Sequence, residues 1–143
     1  MAIRRLDSLG YQIAHLNRLY DRRMQEALGD LGVAPGQFAP LVMLFEQDGL
    51  TQAELCRRIN VEQPTMANTL DRMERDGLIK RKPDPDDKRR ATIHLTPRAD
   101  DMRARVMEQA RQVAAQAVKA LSASEQDQLF SLIARLSDNM KDR

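Results

Sequence analysis

Four polar residues near the middle of the chain carry the first chemical signal. Gln63, Thr65, Asn68 and Thr69 fall close together at helical spacing. Gln and Asn can form two-pronged hydrogen bonds with adenine, and Thr can donate, accept or touch a thymine methyl. Pro64 suits the first turn of a helix, where a missing N–H costs little. Arg72, one turn further, is better placed for a phosphate. A second group follows, in which Lys88, Arg89 and Arg90 flank the turn Pro83-Asp84-Pro85-Asp86-Asp87. Arginine suits a narrow minor groove. Asp87 suits holding one of these arginines or capping the turn. Together the groups could read bases and grip phosphates of duplex DNA. The plainer readings are a polar solvent face and a solvated charge run. The direct succession of the two groups weighs against both.

Other chemistries lack their parts. There is no phosphate-cradling glycine loop, nucleophile elbow, nucleophile–base pair or carboxylate pair in an apolar setting. His15 and His94 are the only histidines, and neither sits in a cluster with metal-ligand spacing. The acids at 84, 86 and 87 lack the rest of a calcium loop, and the methionines fall on inner helix faces. No metal or cofactor site is expected. The single cysteine, Cys56, excludes an intrachain disulfide. It falls beside Leu55 on an inward face and reads as a small buried residue. Its neighbours Arg57 and Arg58 could lower the thiol pKa if it were exposed, so a thiol-based redox sensor is one alternative reading.

The chain has 143 residues and a net charge of only +2, so nucleic-acid binding must rest on local charge. From Leu78 to Leu95 six cations face three acids, a local balance of +3. Aromatics make up 3% and Trp is absent, which argues against a surface of stacked aromatics for RNA. No stretch has the length of a signal-peptide core or a membrane span, and a cytoplasmic protein is expected.

The elements that must position these groups are mostly helical. A stripe of Leu6, Leu9, Ile13, Leu16, Tyr20, Met24 and Leu28 predicts a long first helix, ended by Gly29 and Gly32. Pro35-Gly36 reads as a turn, and a more apolar helix runs from about Gln37 to Gln47. Thr51-Gln52-Ala53-Glu54 is a capping box for a third helix. After a break at Asn60-Val61 a fourth helix carries Met66, Leu70 and Met73 inward and stops at Gly77. Thr96-Pro97 opens a long fifth helix to about Leu121. Ser122-Ala123-Ser124-Glu125 caps a sixth, with Leu129, Leu132, Ile133, Leu136 and Met140 on one side. Between the fourth and fifth helices, a basic run, a Pro/Asp turn and the alternating Thr92-Ile93-His94-Leu95 predict a hairpin. The small core is expected around Phe38, Leu41, Leu44, Leu55, Ile59, Leu70, Met73, Leu78 and Ile93. The order is a helix-turn-helix followed by a basic wing.

The run from Leu70 to Arg81, then Asp87-Lys88-Arg89 and Leu95-Thr96, resembles the signature of the MarR family of bacterial transcriptional regulators. Gln63-Pro64-Thr65 is similar to the recognition-helix start of its SlyA-like members. The resemblance spans essentially the whole chain. It implies a single domain over 1–143, mostly α with a small β wing: a winged helix-turn-helix core at about 34–96, with helical dimerisation regions at 1–33 and 97–143. It implies a homodimer with intertwined outer helices, and the apolar stripes at the two chain ends, which exceed what one small core needs, put Leu9, Ile13, Leu16, Leu132 and Leu136 in that interface. Pro64, Thr65, Asn68 and Thr69 would meet the major groove of a pseudo-palindromic site, Arg89 would enter the minor groove, and Asp87 would order the wing. Asn68 replaces an arginine common in relatives, and Lys88 does likewise. The resemblance also implies a small-molecule effector pocket between the dimer helices and the DNA-binding lobe, and a repressor by analogy. A winged-helix module that binds only protein is the remaining non-enzymatic alternative.

Overall fold

The computed structural model describes residues 4–141. A short 3-10 turn at Arg5–Asp7 precedes α1 (Leu9–Gly29). There follow α2 (Pro35–Glu46), β1 (Leu50–Thr51), α3 (Gln52–Ile59) and α4 (Gln63–Arg75). The hairpin of β2 (Ile79–Pro83) and β3 (Ala91–Leu95) leads to α5 (Pro97–Ala117) and α6 (Ala123–Met140). The expected helices are all present, mostly with shifted ends. Leu6 lies in the 3-10 turn, because the Ser8 side chain caps α1 by accepting from the Tyr11 N–H. Pro35-Gly36 is the first turn of α2 rather than a separate turn, since Pro at this position costs no hydrogen bond. The Gln37 side chain closes that turn by accepting from the Ala34 N–H. The fifth helix ends at Ala117, short of Leu121.

The capping signals act as written. The Thr51 hydroxyl accepts from the Glu54 N–H, and Glu54 accepts from the Thr51 N–H, both at 3.2 Å. Ser122 and Glu125 do the same for α6. Asn60 stops α3 in the left-handed conformation at φ 62°, which Asn tolerates better than most residues. Gly77, at φ +76°, ends α4 with the Leu78 N–H donating to the Met73 carbonyl. This is the left-handed helix stop that glycine favours, with the following apolar residue tucked inward.

The sheet has the order β1-β3-β2, all antiparallel. Strand β1, only two residues long, was not expected. It sews Leu50 and Thr51 onto Ile93 and Thr92, so the wing is hydrogen-bonded to the start of α3. The core gathers Met24 and Leu28 of α1, Leu41 and Leu44 of α2, Leu55, Met66, Leu70, Met73, Leu78 and Ile93, all buried. Phe38 and Ile59, expected inside, pack on its margin and are only partly buried. Val106 and Val113 of α5 are buried in the same cluster, and α1 packs along α5. Helix α6 buries no residue of its own.

Candidate nucleic-acid interface

Helix α4 is held by its inner face, which leaves a polar edge outward. Met66, Leu70 and Met73 are at most 1% exposed. Thr65, Asn68 and Arg72 are exposed, and no side-chain hydrogen bond or ion pair occupies Asn68 or Arg72 among the described residues. Two of the expected contact residues are already engaged. The Thr69 hydroxyl donates to the Thr65 carbonyl at 3.0 Å, and its side chain is half-buried. Gln52 Nε2 donates to Gln63 Oε1 at 2.9 Å. The latter bond ties the first turn of α3 to the first turn of α4 and fixes the angle between them. Pro64 is exposed in the first turn, as its ring chemistry predicts.

The hairpin tip is ordered by two aspartates with different duties. Asp87 accepts from the Arg89 backbone N–H at 3.0 Å and from its guanidinium at 3.0 and 3.2 Å. These bonds, the side-chain one first, hold the Asp87 carboxyl below the usual carboxylate range. The Arg89 side chain nonetheless stays 90% exposed, so it is aimed but not covered. Asp84 is buried, accepts from the Asp86 N–H and pairs with Arg90. The Asp86 N–H and then Arg90 lower its carboxyl pKa. Arg90 thus straps the base of the tip as well as presenting charge. Lys88 is exposed with no acidic partner among the described residues.

Arg81 has a structural role that a charge count does not reveal. It donates to Asp71 of α4 at 2.8 Å, lies 3.8 Å from Glu74, and its N–H donates to Glu74. Strand alternation explains this. Ile79 and Arg81 pair across from Leu95 and Ile93 on the face turned to α4, while Lys80 and Lys82 are exposed between them. The wing is therefore fastened to the second half of α4, and one cation of the basic run is spent on protein. The polar edge at the start of α4 and the cations of the tip remain two separate groups on elements joined through Arg81.

Cys56 is buried, and burial pushes its thiol pKa up, which favours the unreactive protonated form. Among the described residues no three His, Cys, Asp or Glu side chains gather as metal ligands, and no helix is long and apolar enough to cross a membrane.

A cleft of about 380 Å³ lies where α1, α2 and α5 meet. Tyr20 and Met24 line it from α1, Pro35 and Phe38 from α2, and Met107, Ala110 and Ala114 from α5. Arg111 and Asp21 bring charge to this otherwise apolar wall. Arg111 is paired with Glu108, whose pKa falls to about 2, chiefly through that bond. The expected interface leucines lie elsewhere. Leu16 of α1 and Leu136 of α6 are 63% and 46% exposed, and Leu9, Ile13 and Leu132 are also exposed.

Comparison with known proteins agrees with this arrangement. The family model described as MarR family matches residues 33–91. A probable transcriptional regulator from Pseudomonas aeruginosa is 33% identical, with a TM-score of 0.87 over 93% of this chain and 99% of its own. The PcaV transcriptional regulator from Streptomyces coelicolor, solved with its natural ligand, has a TM-score of 0.86 at 24% identity over 99% of both chains. A putative MarR family regulator from Listeria monocytogenes, solved with 26mer DNA, has a TM-score of 0.84 at 21% identity, over 93% of this chain and 89% of that one. The last two share the fold. With the family model lying across the helix pair and the first strand and tip of the hairpin, and one-third identity to a regulator along nearly all of both chains, this chain belongs to the MarR family of transcriptional regulators.

Proposed function

We propose that the protein is a homodimeric repressor that binds a pseudo-palindromic duplex and is released by a small molecule. The observation that carries the DNA reading is the pairing of an unengaged polar edge on α4 with an exposed, pre-aimed Arg89 on the wing. Thr65 and Asn68 would read base edges, Pro64 would pack close to the groove floor, and Arg72 and Lys88 would hold phosphates. Arg89, ordered by Asp87, would enter the minor groove. Gln63, Thr69 and Arg90 contribute chiefly by holding the frame, with their remaining polar atoms free to meet DNA. The Listeria relative, solved with DNA, supports duplex binding by this fold.

Dimerisation is supported by the exposed apolar stripes of α1 and α6, which nothing among the described residues of a single chain covers. A two-fold pair of α4 helices would then meet half-sites about one helical turn apart. The single domain comprises the winged core at about 34–96 and the dimerisation helices around it. The cleft between α1, α2 and α5 is the candidate effector site, and the ligand-bound Streptomyces relative supports a ligand-responsive reading. An effector acts by its difference in affinity for the DNA-competent and DNA-incompetent states, and by no more. Burial of Cys56 gives little support to the thiol-sensor alternative.

Selection of bound duplexes from a random pool by the purified protein tests the reading. An enriched palindrome with salt-dependent affinity is expected. A pool without enrichment would overturn it in favour of a winged-helix protein-binding module.

A further inference from the structure

Helix α4 is tied at its C-terminal end to both walls of the cleft, and both ties meet at one residue. The Asp76 carboxylate accepts from Gln37 Nε2 at 3.1 Å, and its backbone carbonyl accepts from Arg98 at 2.6 Å. Gln37 is 4% exposed and lies in the first turn of α2, between Pro35 and Phe38, which both line the cleft. Arg98 lies in the first turn of α5, whose later turns supply the opposite wall. Its guanidinium also lies against Gly77, where an added Cβ would stand 3.3 Å away, so the helix stop and the strap fit each other closely.

We infer that Asp76 is the coupling residue through which an occupant of the cleft displaces α4. The inference rests on the effector reading above and adds its route. An occupant that separates α2 from α5 pulls the carboxylate and the carbonyl of one residue along different directions. Asp76 caps a rigid helix, and Thr65 lies about 16 Å along its axis, so a small tilt at the cap becomes a larger displacement at the polar edge. The side-chain tie is the part that substitution can remove. Asp76 is itself partly exposed, whereas Gln37 has a second duty on the Ala34 N–H.

The test places a known occupant in the cleft. Ala114→Cys is labelled with benzyl methanethiosulfonate, with mass spectrometry confirming a single label and Cys56 untouched. Affinity for the selected operator is measured before and after labelling, in otherwise unchanged protein and with Asp76→Ala or Asp76→Asn added. Labelling should lower affinity by about tenfold where Asp76 is intact, within the usual range of coupling between sites. Asp76→Asn keeps an acceptor for Gln37 and should retain most of the loss. Asp76→Ala should reduce it to less than about threefold, whatever its effect on thermal stability. Gln37→Glu keeps the cap on Ala34 but loses the donor, and should uncouple as Asp76→Ala does. An equal loss in all backgrounds, or no loss with Asp76 intact, overturns the inference while leaving DNA binding standing. Failure of the unlabelled protein to bind any selected duplex overturns the regulator reading as well.

Discussion

Arg81 of the wing and Asp71 of α4 are joined by a 2.8 Å hydrogen-bonded ion pair. The contact fixes the hairpin against the helix that carries the polar edge. Arg81 is 27% exposed and Asp71 66%, so the pair itself contributes at most about 1 kcal/mol. Arg81→Gln should lower stability by roughly that amount, and Asp71→Asn should add little on top. DNA affinity should fall through a looser wing, with the salt dependence unchanged, because no phosphate contact is lost. Denaturant midpoints and salt titrations check this. A flatter salt slope would place Arg81 on the DNA instead.

For Arg89 the opposite pattern is expected. Its side chain is 90% exposed, so Arg89→Ala should hardly change folding. It should weaken binding most where A·T-rich flanks narrow the minor groove, and flatten the salt slope by roughly one unit. Asp84→Ala should instead destabilise the hairpin and free Arg90. The Asp84 and Asp87 carboxyls are held below their usual pKa, so their contribution is complete above the unfolded value near 4 and fades as pH falls through the folded one. Neutral and mildly acidic buffers should therefore leave the wing intact, as hairpin amide exchange would report. An unchanged affinity and slope for Arg89→Ala would remove the wing tip from the interface.

Local chemistry was legible in the sequence, and long-range pairing was not. Thr51 with Glu54, Ser122 with Glu125, Asn60 and Gly77 all signal their helix ends through short-range hydrogen bonds or backbone preference. Leu41, Leu70 and Met73 signal the core by periodicity alone. Strand β1 escaped because two residues carry no period. Arg81 enters the local charge balance as one cation among six, and a charge sum ignores the strand alternation that puts it beside Ile79 on the inner face. The Gln37–Asp76 bond spans 39 positions, and neither residue announces the other. Of the candidate site, Asn68 and Arg89 have the exposure expected of them, whereas Thr69 and Gln63 have local partners that composition could not reveal.

Cys56 should prove structural. Its thiol is buried with a raised pKa, and mild peroxide acts on accessible thiolates. Cys56→Ser and the parent should bind operator equally before and after peroxide. Loss of binding in the parent, absent in Cys56→Ser, would make the protein a thiol sensor.

Leu136 stands 46% exposed on a helix with no buried residue, within the stripe that also carries Leu132. If that stripe closes a two-fold interface, an unpaired charge buried there costs several kcal/mol. Leu136→Glu should give monomers or unfolded chains on sedimentation, and lose the palindrome although α4 is unaltered. A folded monomer with parent affinity for the full site would remove α6 from the interface.

On the proposed reading Asn68 and Arg72 divide the work of α4, in a way that sequence selection can separate. Both are exposed and free of partners among the described residues, but they sit at different depths along the helix. Thr65 and Asn68 lie one turn apart near the amino end, which a helix-turn-helix points into the groove. Asn68 carries a donor and an acceptor side by side, the pattern that matches an adenine edge, and such a contact discriminates by about 1–3 kcal/mol. Asn68→Ala should therefore relax preference at one symmetric pair of operator positions, with adenine the base lost, and leave the other columns alone. Arg72 lies a turn nearer the helix end, and on the proposed reading it holds phosphate. Arg72→Ala should lower affinity almost uniformly and reduce the salt slope by roughly one unit. Selecting sites from random duplexes with each variant and comparing the profiles decides the matter. A profile unchanged by Asn68→Ala, with a single column altered by Arg72→Ala, would reverse the two assignments.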